Sequence, residues 1–86
     1  MGWYVYILEC GDGTLYTGVT TNPSKRLNRH NGGRGSKYVR SRGVARVVYT
    51  ELHRNRSAAT RRECKIKSWR RDRKLSLING ASRQRL

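Results

Sequence analysis

Two short segments decide most of what this chain can fold into. Residues 3–10 (WYVYILEC) and 14–20 (TLYTGVT) are dense in aromatic and β-branched residues, and Gly11-Asp12-Gly13 separates them. Such runs, bounded by a turn tripeptide, specify two strands joined by a tight antiparallel hairpin. Side chains alternate along a strand, so Tyr4, Tyr6 and Leu8 share one face of the first strand, and Tyr16 and Gly18 share one face of the second. If even positions pair with even positions, Tyr6 and Tyr16 lie together.

Asn22-Pro23 then signals a helix start, with a capping side chain followed by proline at the first helical position. This helix is expected to run to about His30 and stop at Asn31-Gly32-Gly33, with Leu27 toward the core. Arg26 and His30 are four residues apart and project from one helical face. Residues 32–43 (GGRGSKYVRSRG) read as a Gly-rich basic loop. Residues 44–52 (VARVVYTEL) read as a third strand. A second helix is expected from a cap at Ser57, carrying Ala59, Glu63 and Ile66 on its inward stripe. Residues 70–79 either continue it or form a short helix of their own, and 80–86 read as a tail. The expectation is one domain over residues 1–79, in the α+β class, with a three-stranded antiparallel sheet flanked by helices in the order β-β-α-β-α(-α).

Composition narrows the chemistry. The chain has 86 residues, with 20 Lys or Arg against five Asp or Glu and a formal net charge of +15. That excess points to a polyanionic partner, nucleic acid ahead of a membrane surface. No apolar run approaches the roughly 18–20 residues of a membrane span. The N-terminal segment lacks the basic region and cleavage site of a secretory signal. A cytoplasmic location, or one at the nucleoid or nucleus, follows as an expectation. The acids are Glu9, Asp12, Glu51, Glu63 and Asp72, too few for a site of three or four converging carboxylates. Any metal would sit on one or two carboxylates and otherwise on water. Cys10 and Cys64 show no metal-binding or redox spacing, and reduced thiols are expected. Glu63 stands out as an acid on an inward stripe. It is either salt-bridged to Arg62, Lys67 or Arg26, or functional.

Tyr4-Val5-Tyr6, Tyr16-Thr17-Gly18, Arg26, His30 and a helical Glu63 together resemble the GIY-YIG nuclease domain. Tyr6 matches the last residue of its first motif, and Tyr16 and Gly18 match the ends of its second. The steps Tyr6 to Tyr16 and Tyr16 to Arg26 are ten residues each, as the family requires. The likeness spans about residues 3–79 and is closest to small stand-alone members, which carry a segment similar to Gly33-Arg34-Gly35-Ser36-Lys37-Tyr38. Tyr4, Val5 and Thr17 depart from the family's pattern at positions without chemistry. The resemblance implies a phosphodiester-hydrolysing endonuclease acting on DNA more readily than RNA, with single-stranded or structured DNA first. It implies one Mg²⁺ (or Mn²⁺) per site held by Glu63, and no small-molecule cofactor. Tyr16 would be the base or water-positioner and Tyr6 a hydrogen-bonding positioner. Arg26 would hold the phosphate, and His30 would bind it or share a proton. Gly18, where either the helix or the substrate must approach the strand, and Lys25, Arg29, Arg34, Lys37, Arg40 and Arg42 would contact the nucleic acid. Tyr38 and Trp69 either stack on unpaired bases or pack at the core rim. The alternatives are a non-catalytic nucleic-acid-binding module of the same fold and a subunit of a repair complex or the ribosome.

Overall fold

A computed structural model describes residues 2–31 and 46–84, with side chains through Asn28 in the first helix and Gly80 in the last. The elements are β1 (Trp3–Glu9), β2 (Leu15–Thr20), α1 (Pro23–Asn31), β3 (Arg46–His53), α2 (Arg56–Lys67) and α3 (Arg71–Gln84). The three strands form one antiparallel sheet in the order β2-β1-β3. The central position of β1 explains its sequence. Val5, Tyr6, Ile7 and Leu8 are all buried, because both faces of this strand are covered.

The hairpin turn is closed by backbone bonds between Cys10 and Thr14 and from Gly13 to Cys10, and Asp12 Oδ1 accepts from the Thr14 amide at 3.0 Å. Gly13 takes φ +85°, a conformation that side-chain-bearing residues rarely adopt. Even residues do pair with even ones. Tyr6 faces Gly18 and Leu8 faces Tyr16, so the two motif tyrosines share a face, with ring centroids 6.4 Å apart.

Each face of the sheet has its own core. On one, Tyr6, Leu8 and Cys10 are buried with Tyr16, Leu27 and Val47 against them, and α1 supplies the cover through Leu27. On the other, Val5, Ile7, Ala59 and Ile66 are buried with Trp3, Val48, Tyr49, Trp69, Leu77 and Ile78 around them, under α2 and α3. The β1–β3 register slips by one residue between Ile7 and Leu8. Ile7 pairs with Tyr49 and Leu8 with Val47, leaving Val48 as the extra residue of a bulge. The slip lets Val47 pack on one face while both Val48 and Tyr49 pack on the other.

Two local expectations are corrected, and one open alternative is decided. The cap of α2 is Asn55, whose Oδ1 accepts from the Ala58 amide at 2.9 Å, so Ser57 lies inside the first turn. Residues 70 onward form a separate helix, because α2 closes at Ser68, whose backbone amide turns back to Cys64 and Lys65. That helix, α3, runs to Gln84, well past position 79. The start of α1 is as expected, with Asn22 Oδ1 accepting from the Lys25 amide at 3.0 Å. Cys10 is buried, Cys64 is exposed, and no disulfide joins them. No described helix is long and apolar enough to cross a membrane.

Candidate active site

Tyr6 leaves the central strand and lays its ring across β2. A methyl group built on Gly18 would stand 2.5 Å from the Tyr6 Oη and 2.7 Å from Cζ, so Gly18 is the seat of that ring. The close approach at Gly18 is therefore made by a neighbouring tyrosine, not by the helix or the substrate, and the residue is buried beneath it. Because β2 is an edge strand, this geometry carries the Tyr6 hydroxyl toward the border that α2 contacts.

Tyr6 is 2% exposed, and burial is the largest influence on its phenol. Tyr16 pushes its pKa further up, Arg26 pulls it down and Glu63 pushes it up, with the result raised to about 12. These four side chains come from β1, β2, α1 and α2, yet all lie within electrostatic reach of one hydroxyl. A phenol so placed stays protonated at neutral pH and donates a hydrogen bond.

Arg26 is half-buried and lines a shallow pocket with Thr20, Thr21, Asn22 and Lys25. The cap that starts α1 thus sets both basic residues beside the end of β2. Glu63 is largely covered, with its side chain 16% exposed, and it lies 3.5 Å from Lys67 one turn on. Lys67 is 53% exposed, so this pair is a surface contact worth about 0–1 kcal/mol. Among the described residues no three His, Cys, Asp or Glu side chains cluster to cage a metal. One carboxylate beside a basic face suits Mg²⁺, which keeps several waters and takes one or two carboxylates plus substrate oxygens. It does not suit Zn²⁺, which wants three or four protein ligands.

The structure therefore brings together Tyr6, Tyr16, Arg26 and Glu63, with Lys25 and Gly18 at their border. Arg29 and His30 stand on the last turn of α1, but their side chains lie outside the described residues. Arg34, Lys37, Tyr38, Arg40 and Arg42 also lie outside them. Trp69 packs against the α2/α3 core and carries guanidinium groups on its ring, with Arg62 Cζ 5.2 Å and Arg73 Cζ 4.2 Å from the centroid.

A second polar cluster was not singled out from the sequence. Glu51 receives the Tyr49 hydroxyl at 2.6 Å, contacts His53 Nε2 at 2.6 Å, and receives Arg62 Nε at 3.0 and 3.2 Å. Burial pushes the Glu51 carboxyl up, but the bonds from Tyr49, His53 and Arg62 outweigh it and hold the pKa below the ordinary value. The signal was present as Tyr-x-Glu-x-His, three polar side chains on one face of a strand, and Arg62 completes the cluster from α2. Its place on the helix-covered face, against Trp69 through Arg62, marks it as an anchor of α2 to β3.

Comparison with known proteins finds one family model and a set of similar relatives. A family model described as the GIY-YIG catalytic domain matches residues 2–76. A UPF0213 protein of Desulfotalea psychrophila is 45% identical over 82 residues, covering 94% of this chain and 74% of that one. A UPF0213 protein of Clostridium perfringens is 49% identical over 79 residues, covering 92% and 85%. The solution structure of a UPF0213 protein from Bacillus halodurans superposes with TM-score 0.59 at 43% identity, covering 92% of this chain and 84% of that one. A solution structure of an E. faecalis protein gives TM-score 0.65 at 37% identity, covering 95% and 88%.

Proposed function

Because this chain belongs to the GIY-YIG domain family, we propose that it is a divalent-metal-dependent endonuclease that hydrolyses phosphodiester bonds in DNA, single-stranded or structured DNA first. The carrying observation is that Tyr16, Arg26 and Glu63, from three separate elements, all lie within electrostatic reach of Tyr6 on a fourth.

Glu63 would hold one Mg²⁺, or Mn²⁺ in its place. When bound, the ion supplies charge stabilisation to the scissile phosphate and acidifies a water. Arg26 grips the phosphate, since a guanidinium matches two of its oxygens. Tyr6, neutral at working pH, donates a hydrogen bond to the phosphate or to the attacking water. Tyr16, on the facing strand, orients that water through its hydroxyl oxygen, and the water's proton passes to solvent as the water oxygen bonds to phosphorus. The leaving oxygen departs with a proton drawn from solvent or from His30. Lys25 holds an adjoining phosphate. These described groups address phosphate, and phosphate contacts fix register without reading sequence. Selection then falls on how accessible the strand is, which favours single-stranded and structured DNA over a defined duplex sequence.

The Lys67–Glu63 pair favours a second reading, in which Glu63 is tied up and the protein binds nucleic acid without cutting it. Purified protein incubated with labelled single-stranded, duplex and flap DNA and with RNA, in Mg²⁺, Mn²⁺ or EDTA, separates the two. Cleavage that needs metal and disappears in both Glu63→Ala and Tyr16→Phe is the expected result. Tight, salt-sensitive binding with no product from any substrate would overturn the nuclease proposal and leave the binding module.

A further inference from the structure

Away from Tyr6, Tyr16, Arg26 and Glu63, a groove opens where α2 gives way to α3. Lys65, Ser68, Trp69, Arg70, Asp72 and Arg73 line it. Trp69 is fixed from below by its packing against the buried cluster of Val5, Ile7, Ala59 and Ile66. Its ring is a platform for arginine. Arg73 Cζ lies over it at 4.2 Å and Arg62 Cζ at 5.2 Å, and Arg62 is itself moored to Glu51 through Nε. Arg73 is thus an exposed cation seated over the indole. Neither it nor Lys65 nor Arg70 takes part in an ion pair among the described residues. Three positive charges face the single carboxylate of Asp72.

Repulsion within such a group opposes folding, and an anionic occupant relieves it. The occupant's class follows from what the groove offers. A bilayer or an amphipathic helix needs protruding apolar side chains, and the large hydrophobic exposed among the described residues is Leu52, on β3 and outside this groove. A guanidinium stacked on an indole presents its other plane outward, and that plane suits a nucleobase. Cations spaced around it suit phosphates. We propose that the α2–α3 groove is a second nucleic-acid contact, distinct from the catalytic face. It takes an unpaired stretch of strand, with phosphates on Lys65 and Arg70 and a base on the outer plane of Arg73.

The test uses the full chain carrying Glu63→Gln, in EDTA, so that binding is read whether or not the protein cuts. Fluorescence anisotropy of a labelled single strand is followed across a salt series. Arg70→Gln with Arg73→Gln is expected to weaken binding roughly tenfold and to flatten the slope of log K against log salt by about 0.7, the one phosphate contact of Arg70. Arg54→Gln with Arg61→Gln removes the same charge from exposed positions outside the groove and is expected to change affinity by less than about twofold. Arg73→Lys keeps the charge and loses the plane. It should hold the slope yet narrow the preference for a strand with bases over an abasic one. The Trp69 indole N–H resonance should shift on adding strand, while that of Trp3 stays. Equal losses from the two Gln pairs would reduce the effect to net charge and overturn the proposal, as would no loss from the groove pair. Binding of phosphatidylserine vesicles that competes fully with the strand and vanishes in the groove pair would overturn it in favour of a lipid surface.

Discussion

Thr17 carries a hydroxyl where the family's motif has isoleucine, and the residue is 4% exposed with Oγ1 lacking any hydrogen-bond partner. It pairs with Ile7 across the hairpin and so points to the face that α2 covers. A buried, unsatisfied hydroxyl costs about 1–3 kcal/mol. Thr17→Val, which keeps the branched shape and removes the unmet donor, is therefore expected to stabilise the fold by about 1 kcal/mol, read as a higher urea midpoint at unchanged slope. A lower midpoint would mean that the hydroxyl has a partner after all. Tyr6 invites a different measurement. Its phenol is raised to about 12 by burial first, and an unfolded tyrosine titrates near 10, so the folded state favours the protonated form. Its contribution to stability is whole below pH 10 and is lost as pH climbs toward 12. Tyr49, raised to about 12 by burial and by its bond to Glu51, behaves alike. An alkaline titration followed at the phenolate absorbance should show a late phase from Tyr6 and Tyr49, together with unfolding. Tyr6→Phe and Tyr49→Phe should each remove one late ionisation. Ionisation of Tyr6 near pH 10 in the folded protein would place its ring in water, against the geometry over Gly18.

At the scale of elements, what could be read in advance was whatever local chemistry decides. Alternation and Gly11-Asp12-Gly13 specify the hairpin, and Asn22-Pro23 specifies α1, because the groups that satisfy those backbones lie within a few residues. That Tyr6 and Tyr16 share a face follows once even positions pair with even ones. The β3 bulge was not legible, since Val47-Val48-Tyr49 is apolar throughout and only packing on two faces decides which residue is extra. Glu63 could be placed on an inward stripe, but its distance from Tyr6 depends on how α2 borders the edge strand. The Arg62 and Arg73 contacts with Trp69 likewise depend on how α3 follows α2. The α2 cap is the instructive miss. Asn55 and Ser57 are both good caps, and burial of Ala59 and Ile66 selects the frame in which Asn55 serves. Asn55→Ala should cost about 1 kcal/mol in chemical denaturation, while Ser57→Ala, inside the first turn, should be neutral within a few tenths. The reverse order of effects would restore Ser57 as the cap.

At the scale of the whole molecule, charge sets stability and binding against each other. Twenty basic residues face five acidic ones. Among the described residues, Glu9 is paired with Arg46, Glu51 with His53 and Arg62, and Glu63 with Lys67. Most cations therefore see mainly other cations, and their mutual repulsion opposes the compact state. Salt shortens the reach of that repulsion, from about 10 Å at 0.1 M to about 3 Å at 1 M. The melting temperature should consequently rise with sodium chloride over this range. Nucleic-acid affinity should fall over the same range, because each phosphate neutralised releases counterions into a solution that already holds more of them. The two trends have opposite signs and one cause, which makes the pair sharper than either alone. A melting temperature that falls with salt would mean that the ion pairs at Glu9 and Glu51 outweigh the repulsion. An affinity indifferent to salt would mean that the excess charge does not meet a phosphate backbone. Opposite trends would tie the stability this basic surface gives up to the polyanion it binds.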